Sequence, residues 1–175
     1  MPERVNPSSP ATELDAGLVR ARLDALKAGG AGADDLLRAA VAEIYTASSR
    51  YDWVGVYMLE GDTLVLHNFI GAETDHTRIP VGRGVCGTAV AEDRDINVAD
   101  VRELDNYIAC SLDTRSEIVV LIRDNSGAVL GQLDLDSDSA AAFTDVDQQA
   151  LREIADWLGG NLRPSSPRGP DSTAA

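Results

Sequence analysis

Two stretches of the chain leave little freedom in how it folds. WVGVYMLEGDTLVLHNFI and EIVVLIRDNSGAVLGQLDLDSD each set β-branched and aromatic residues on both sides of a short polar turn, EGD in the first and DNSG in the second. A turn of that kind between two extended segments predicts an antiparallel hairpin. Two such hairpins require a sheet, and the segments around them say how it is covered.

The flanking segments have helical spacing. In ELDAGLVRARLDALKA, residues Leu14, Leu18, Val19, Leu23 and Leu26 are expected on one helical face. After the break at GGAG, Leu36, Leu37, Ala40, Val41 and Ile44 repeat the pattern. Near the C-terminus, Thr144 and Asp147 form a capping pair ahead of Leu151, Ile154 and Leu158, with the glycines at 159 and 160 expected to end the helix. Helices at both ends and hairpins between them predict an α+β fold built on an antiparallel sheet. Residues 1–12 and 163–175, rich in Pro, Ser and Gly, are expected to be disordered tails around one domain spanning 13–162.

Composition narrows the partners. With 29 acidic and 15 basic residues, the net charge of −14 repels phosphate backbones and anionic membranes. The start, MPERVNPSSPATELD, lacks the basic and apolar regions of a secretory signal. A cytoplasmic location is expected, and in that reducing setting a cysteine pair is more often redox-active than structural.

The 2 cysteines are Cys86, in IPVGRGVCGTAV, and Cys110, in NYIACS. Neither belongs to a CxxC, and no histidine stands in ligand register with them, so no metal site is expected. Two inert buried thiols are one reading. The other starts from the glycines around Cys86, which expose backbone amides beside a helix start, a setting that favours a thiolate. In QLDLDSD, strand alternation puts Asp134 and Asp136 on one face, and Glu117 opens the strand expected beside them. These acids are either a solvated face or a socket for an ammonium group with a proton donor in it. By the same alternation Trp53, Gly55 and Tyr57 share a face, the glycine leaving a slot between two aromatics or the three simply packing.

The segments WVGVY, RIPVGRGVCGTAVAE, YIAC, RSEIVV and LDLDS, in that order over residues 51–160, resemble the GAF-domain free methionine-(R)-sulfoxide reductases. The resemblance implies a six-stranded antiparallel sheet flanked by helices, with a closed pocket on one face. It makes Cys110 the nucleophile and Cys86 the glycine-loop thiol. Glu117, Asp134 and Asp136 become the acids that hold the substrate's amino group and assist proton transfer, and Trp53 and Tyr57 the aromatic pocket for its methyl group. Many members carry a further cysteine upstream of the glycine loop, where this chain has His76.

The implied activity is thiol-dependent reduction of free L-methionine (R)-S-oxide through a cysteine sulfenic acid and a disulfide. No bound cofactor is implied, only an external dithiol such as thioredoxin. The expected partners are free methionine sulfoxide and that reductant, with a homodimer left open as the assembly. The alternative is a GAF module that senses a small ligand or redox state without turnover, which the missing third cysteine favours.

Overall fold

The computed structural model describes residues 13–105 and 112–162. The expected terminal tails and Cys110 lie outside the described residues. In chain order the elements are α1 (Ala16–Ala28), α2 (Ala33–Ala47), β1 (Trp53–Glu60), β2 (Thr63–Ile70), β3 (Arg78–Pro80), α3 (Gly84–Ala91), β4 (Ile96–Val98), β5 (Ser116–Arg123), β6 (Val129–Ser137) and α4 (Asp145–Asn161). Among the described residues the six strands form one sheet in the order β3-β2-β1-β6-β5-β4, every pair antiparallel. The two expected hairpins are β1–β2, where Glu60 pairs with Thr63 around the turn, and β5–β6.

Period-two alternation decides what each face of the sheet touches. Val54 and Val56 of β1, Ile118, Val120 and Ile122 of β5, and Leu133 and Leu135 of β6 join the core formed with α1, α2 and α4. The intervening residues Trp53, Tyr57, Val119 and Leu121 pack with Val85, Cys86 and Ala89 of α3 on the opposite face. The described residues are therefore layered: the α-helices α1, α2 and α4, then the sheet, then the short helix α3. Of the side chains named from the sequence, Trp53, Tyr57 and Cys86 lie on the α3 face.

The helices follow their periodicity with two corrections. Val19 and Leu23 are buried on α1, but Leu18 is 72% exposed. Five residues separate Leu18 from Leu23, which at 3.6 residues per turn puts them roughly 140° apart, so both cannot face the core. On α2 all five expected residues are buried.

The second correction concerns α4. Its N-terminus is the expected capping box, with Asp147 also accepting from Arg50 and from the Tyr51 hydroxyl. The glycines do not end it, because the helix runs to Asn161. A Cβ at Gly159 would stand 1.7 Å from the Arg123 carbonyl oxygen, so this glycine lets the helix lie against the end of β5. Gly159→Ala is accordingly expected to lower stability by about 1–3 kcal/mol or more, as forced overpacking does. Urea unfolding reads this directly, and an unchanged midpoint contradicts it.

Candidate active site

Cys86 is presented by a tight backbone crossing. The α3 helix starts at Gly84 with Arg83 as its N-cap, so Cys86 lies inside the first turn, not ahead of the helix as the sequence suggested. Gly82 N–H donates to the Gly87 carbonyl at 2.8 Å, and Gly87 N–H to the Arg83 carbonyl at 2.9 Å. A Cβ on Gly87 would meet the Pro80 carbonyl oxygen at 2.5 Å. The glycine after the cysteine therefore seats the helix on the end of β3, and this drives the Cys86 side chain into the sheet.

The acids meet it there. Glu117 on β5 pairs with Asp136 on β6, which pairs in turn with Trp53 on β1; one row along, Asp134 lies between Val119 and Gly55. These are interior strands and not a sheet edge. Glu117, Asp134 and Asp136 are 3%, 0% and 1% exposed, which removes the reading of a solvated acidic face. The Cys86 thiol donates to Glu117 Oε1 across 3.8 Å. The sulfur and one oxygen each of Glu117 and Asp134 all lie within 4.8 Å of one another.

Burying like charges together has an electrostatic consequence. Loss of solvent, reinforced by the charges of Asp134 and Asp136 and a contact with Asp134, pushes the Glu117 carboxyl well above its usual range. Burial also raises Asp134, against the opposing influence of the nearby Glu117 and Cys86. Neither Asp134 oxygen is in hydrogen-bonding geometry with a donor among the described residues. A carboxylic acid held above its usual range can donate its proton, and a buried carboxylate beside it attracts a cation.

The aromatic wall differs from expectation in one respect. Trp53 and Tyr57 do share the face, with ring centroids 6.4 Å apart. The gap over Gly55 is not an open slot, because the Trp53 indole bends across it, 2.3 Å from where a Cβ would stand. The glycine is needed by the tryptophan itself. Phe69, opposite Gly55 on β2, stacks on that indole at 5.4 Å, a third ring that sequence reasoning missed. The segment after β2 is tied over the wall by Trp53 Nε1–H donating to the Ala72 carbonyl at 3.1 Å and the Tyr57 hydroxyl donating to the His76 carbonyl at 2.8 Å. His76 thus contributes its backbone at the position where many members of the resembled family have a thiol.

Gln132 was also missed. It is fully buried, its amide without a hydrogen-bond partner among the described residues, and it continues the row of Asp134 and Asp136 by the same alternation. The signal was present in QLDLD but read only for its charges. The structure thus brings Cys86, Glu117, Asp134, Asp136, Trp53 and Tyr57 onto one buried face. Cys110 lies outside the described residues.

Comparison with known proteins bears on this arrangement. The GAF domain family matches residues 32–162. The free methionine-R-sulfoxide reductase of Escherichia coli is 43% identical over 148 residues, 84% of this chain and 87% of that protein. Among solved structures, the type II free methionine-R-sulfoxide reductase of Thermoplasma acidophilum is 40% identical with a TM-score of 0.70, covering 73% of this chain and 89% of that one. The Neisseria meningitidis free methionine-R-sulfoxide reductase, solved in complex with its substrate, is 34% identical with a TM-score of 0.76, covering 93% of this chain and 96% of that one.

Proposed function

We propose that this chain, which belongs to the GAF-domain free methionine-R-sulfoxide reductases, reduces free L-methionine (R)-S-oxide to methionine at the face between α3 and the sheet. The observation that carries the reading is the set of three buried carboxylates, Glu117, Asp134 and Asp136, packed beside a cysteine. A free amino acid brings an ammonium group to such a socket. A methionine inside a peptide does not.

The chemistry divides among the residues as follows. Cys110, assigned by its match in YIAC, attacks the sulfoxide sulfur as a thiolate while Glu117 delivers a proton to the oxygen. The oxygen passes to Cys110 as a sulfenic acid, and methionine leaves with its sulfur reduced by two electrons. The Cys86 thiol then attacks the Cys110 sulfur, so that an S–S bond forms and water departs. An external dithiol of the thioredoxin class reduces that disulfide by exchange and is itself oxidised. No bound cofactor enters. Asp134 and Asp136 hold the ammonium, and Trp53 and Tyr57 enclose the methyl group. This redox cycle belongs in a reducing cytoplasm. Among the described residues no helix is long and apolar enough to cross a membrane.

The test is methionine release from purified protein with a dithiol and four substrates: the free R and S sulfoxides and their N-acetylated forms. The free R epimer is expected to turn over. Acetylation removes the charged amine and leaves the acids unpaired, and rejection by a site built for a missing polar group reaches roughly 10⁴-fold. Comparable rates on free and acetylated substrate overturn the socket. No release from any of the four favours a GAF module that binds without turnover.

A further inference from the structure

We infer that Cys86, Glu117 and Asp134 form a binding site for a divalent transition-metal ion of the zinc class, held by one thiolate and two carboxylates. This goes beyond the reductase reading and rests on the geometry of the cluster alone. Sequence spacing hid the site, because it argued only about cysteine and histidine ligands. The carboxylates arrive from two neighbouring strands and the thiol from α3.

Three observations support it. First, the ligand types suit the ion, since zinc binds cysteine sulfur and carboxylate oxygen together. Second, the distances fit. A tetrahedral ion with sulfur at about 2.3 Å and oxygen at about 2.0 Å holds its ligand atoms roughly 3.3–3.5 Å apart. The Cys86 Sγ to Glu117 Oε1 distance is 3.8 Å, and all three ligand atoms fall within 4.8 Å. Ion binding requires the three side chains to close that difference. Third, Asp134 is 0% exposed with neither oxygen in ideal hydrogen-bonding geometry to a donor among the described residues, and the polar groups that act on it are Glu117 and the Cys86 thiol, the other two ligands of the cluster. A buried carboxylate in that condition calls for a cation.

The ion occupies the place proposed for the substrate's ammonium, so metal and substrate exclude each other. It also ties up the Cys86 thiol. Zinc binding is therefore a reversible inhibited state in which the glycine-loop cysteine cannot resolve a sulfenic acid.

The test uses the full chain, reduced, freed of small thiols and handled without oxygen, with Co²⁺ as the optical probe and Zn²⁺ as competitor. One equivalent of Co²⁺ is expected to give a thiolate-to-cobalt charge-transfer band and the strong visible bands of a tetrahedral ion, both erased by Zn²⁺. Cys86→Ser is expected to abolish the charge-transfer band, and Cys110→Ser to keep it. Asp134→Asn, which preserves volume, is expected to weaken binding more than the roughly 10–100-fold typical of losing an outer-shell partner. X-ray absorption at the zinc edge of the wild type needs no variant and is expected to find one sulfur among otherwise light ligands.

An absent band in folded wild type overturns the site. So does a band that survives Cys86→Ser, or affinity unchanged in Asp134→Asn, or a zinc shell with no sulfur or with two. Wild type that reduces the sulfoxide but binds no Co²⁺ overturns the metal site alone. Wild type that binds Co²⁺ but reduces no sulfoxide even when metal-free overturns the reductase reading alone.

Discussion

Glu117→Gln is expected to lower kcat for free methionine-(R)-sulfoxide by about 10²–10⁴-fold, the range a positioned general acid contributes, while leaving the chain at least as stable as the wild type. The two halves share one cause. Glu117 is 3% exposed beside Asp134 and Asp136, and burial followed by those charges holds its carboxyl well above the usual range. The proton it retains is the one the departing oxygen needs. Gln keeps the volume and the polar contacts but has no proton to give. It also removes the cost of holding an ionisable group protonated in the fold, as functional sites that trade stability for activity allow.

The sign of the pH dependence follows. An acid whose folded pKa is raised binds more protons folded than unfolded, so stability falls as pH rises from the ordinary carboxylate value of 4.5 through the raised folded value. Below that window the group costs nothing. Glu117→Gln is expected to flatten this decline, which thermal unfolding from acid to mildly alkaline pH measures. A variant with wild-type turnover ends the general-acid role. A decline as steep as the wild type's ends the electrostatic account.

Where the fold was legible, a period carried it. The two hairpins, the face of α2 and the α4 capping box follow from spacing and turn chemistry that need no partner to be recognised. The short strands β3 and β4, of three residues each, have too few residues to show any alternation and exist because β2 and β5 offer them edges to pair with. Gly159 and Gly55 mislead for a related reason. A glycine in a sequence looks like a break or a gap, whereas here one admits a neighbouring carbonyl and the other its own strand's indole.

At the site, the alternation in QLDLDSD correctly placed two acids together, but not their burial. That depends on β6 lying in the middle of the sheet under α3, a tertiary fact with no local signal. Burial is also what separates an acidic surface from a charged socket. Gln132 and Phe69 were in register throughout and were overlooked because an amide and one more ring look ordinary until the neighbours are known.

The largest effect is expected at the cysteines. Cys110→Ser is expected to release no methionine, even in a single turnover with excess protein, because serine cannot take up the sulfoxide oxygen as a sulfenic acid. Cys86→Ser is expected to release one methionine per chain and then stall. The asymmetry comes from the different work the two thiols do. In the proposed cycle the first reduces substrate; the second only condenses with the sulfenic acid, and with no third cysteine in the sequence it has no intramolecular substitute. Cys86 stands in the first turn of α3, its thiol turned into the acid cluster toward Glu117. It is therefore already on the face where the proposed function puts the sulfoxide. A disulfide to Cys110 needs the two Cα atoms within about 7 Å, and because Gly87 is held against the Pro80 carbonyl, the approach has to come from the segment that carries Cys110. Mass spectrometry after one equivalent of substrate separates the outcomes. Wild type should lose two hydrogens as a Cys86–Cys110 disulfide, and Cys86→Ser should gain one oxygen at Cys110, removable by an added small thiol. Normal cycling of Cys86→Ser with thioredoxin would show that the reductant attacks the sulfenic acid directly, leaving Cys86 without a resolving role. A completed turnover by Cys110→Ser would instead transfer the nucleophile to Cys86, the thiol already beside the proton donor.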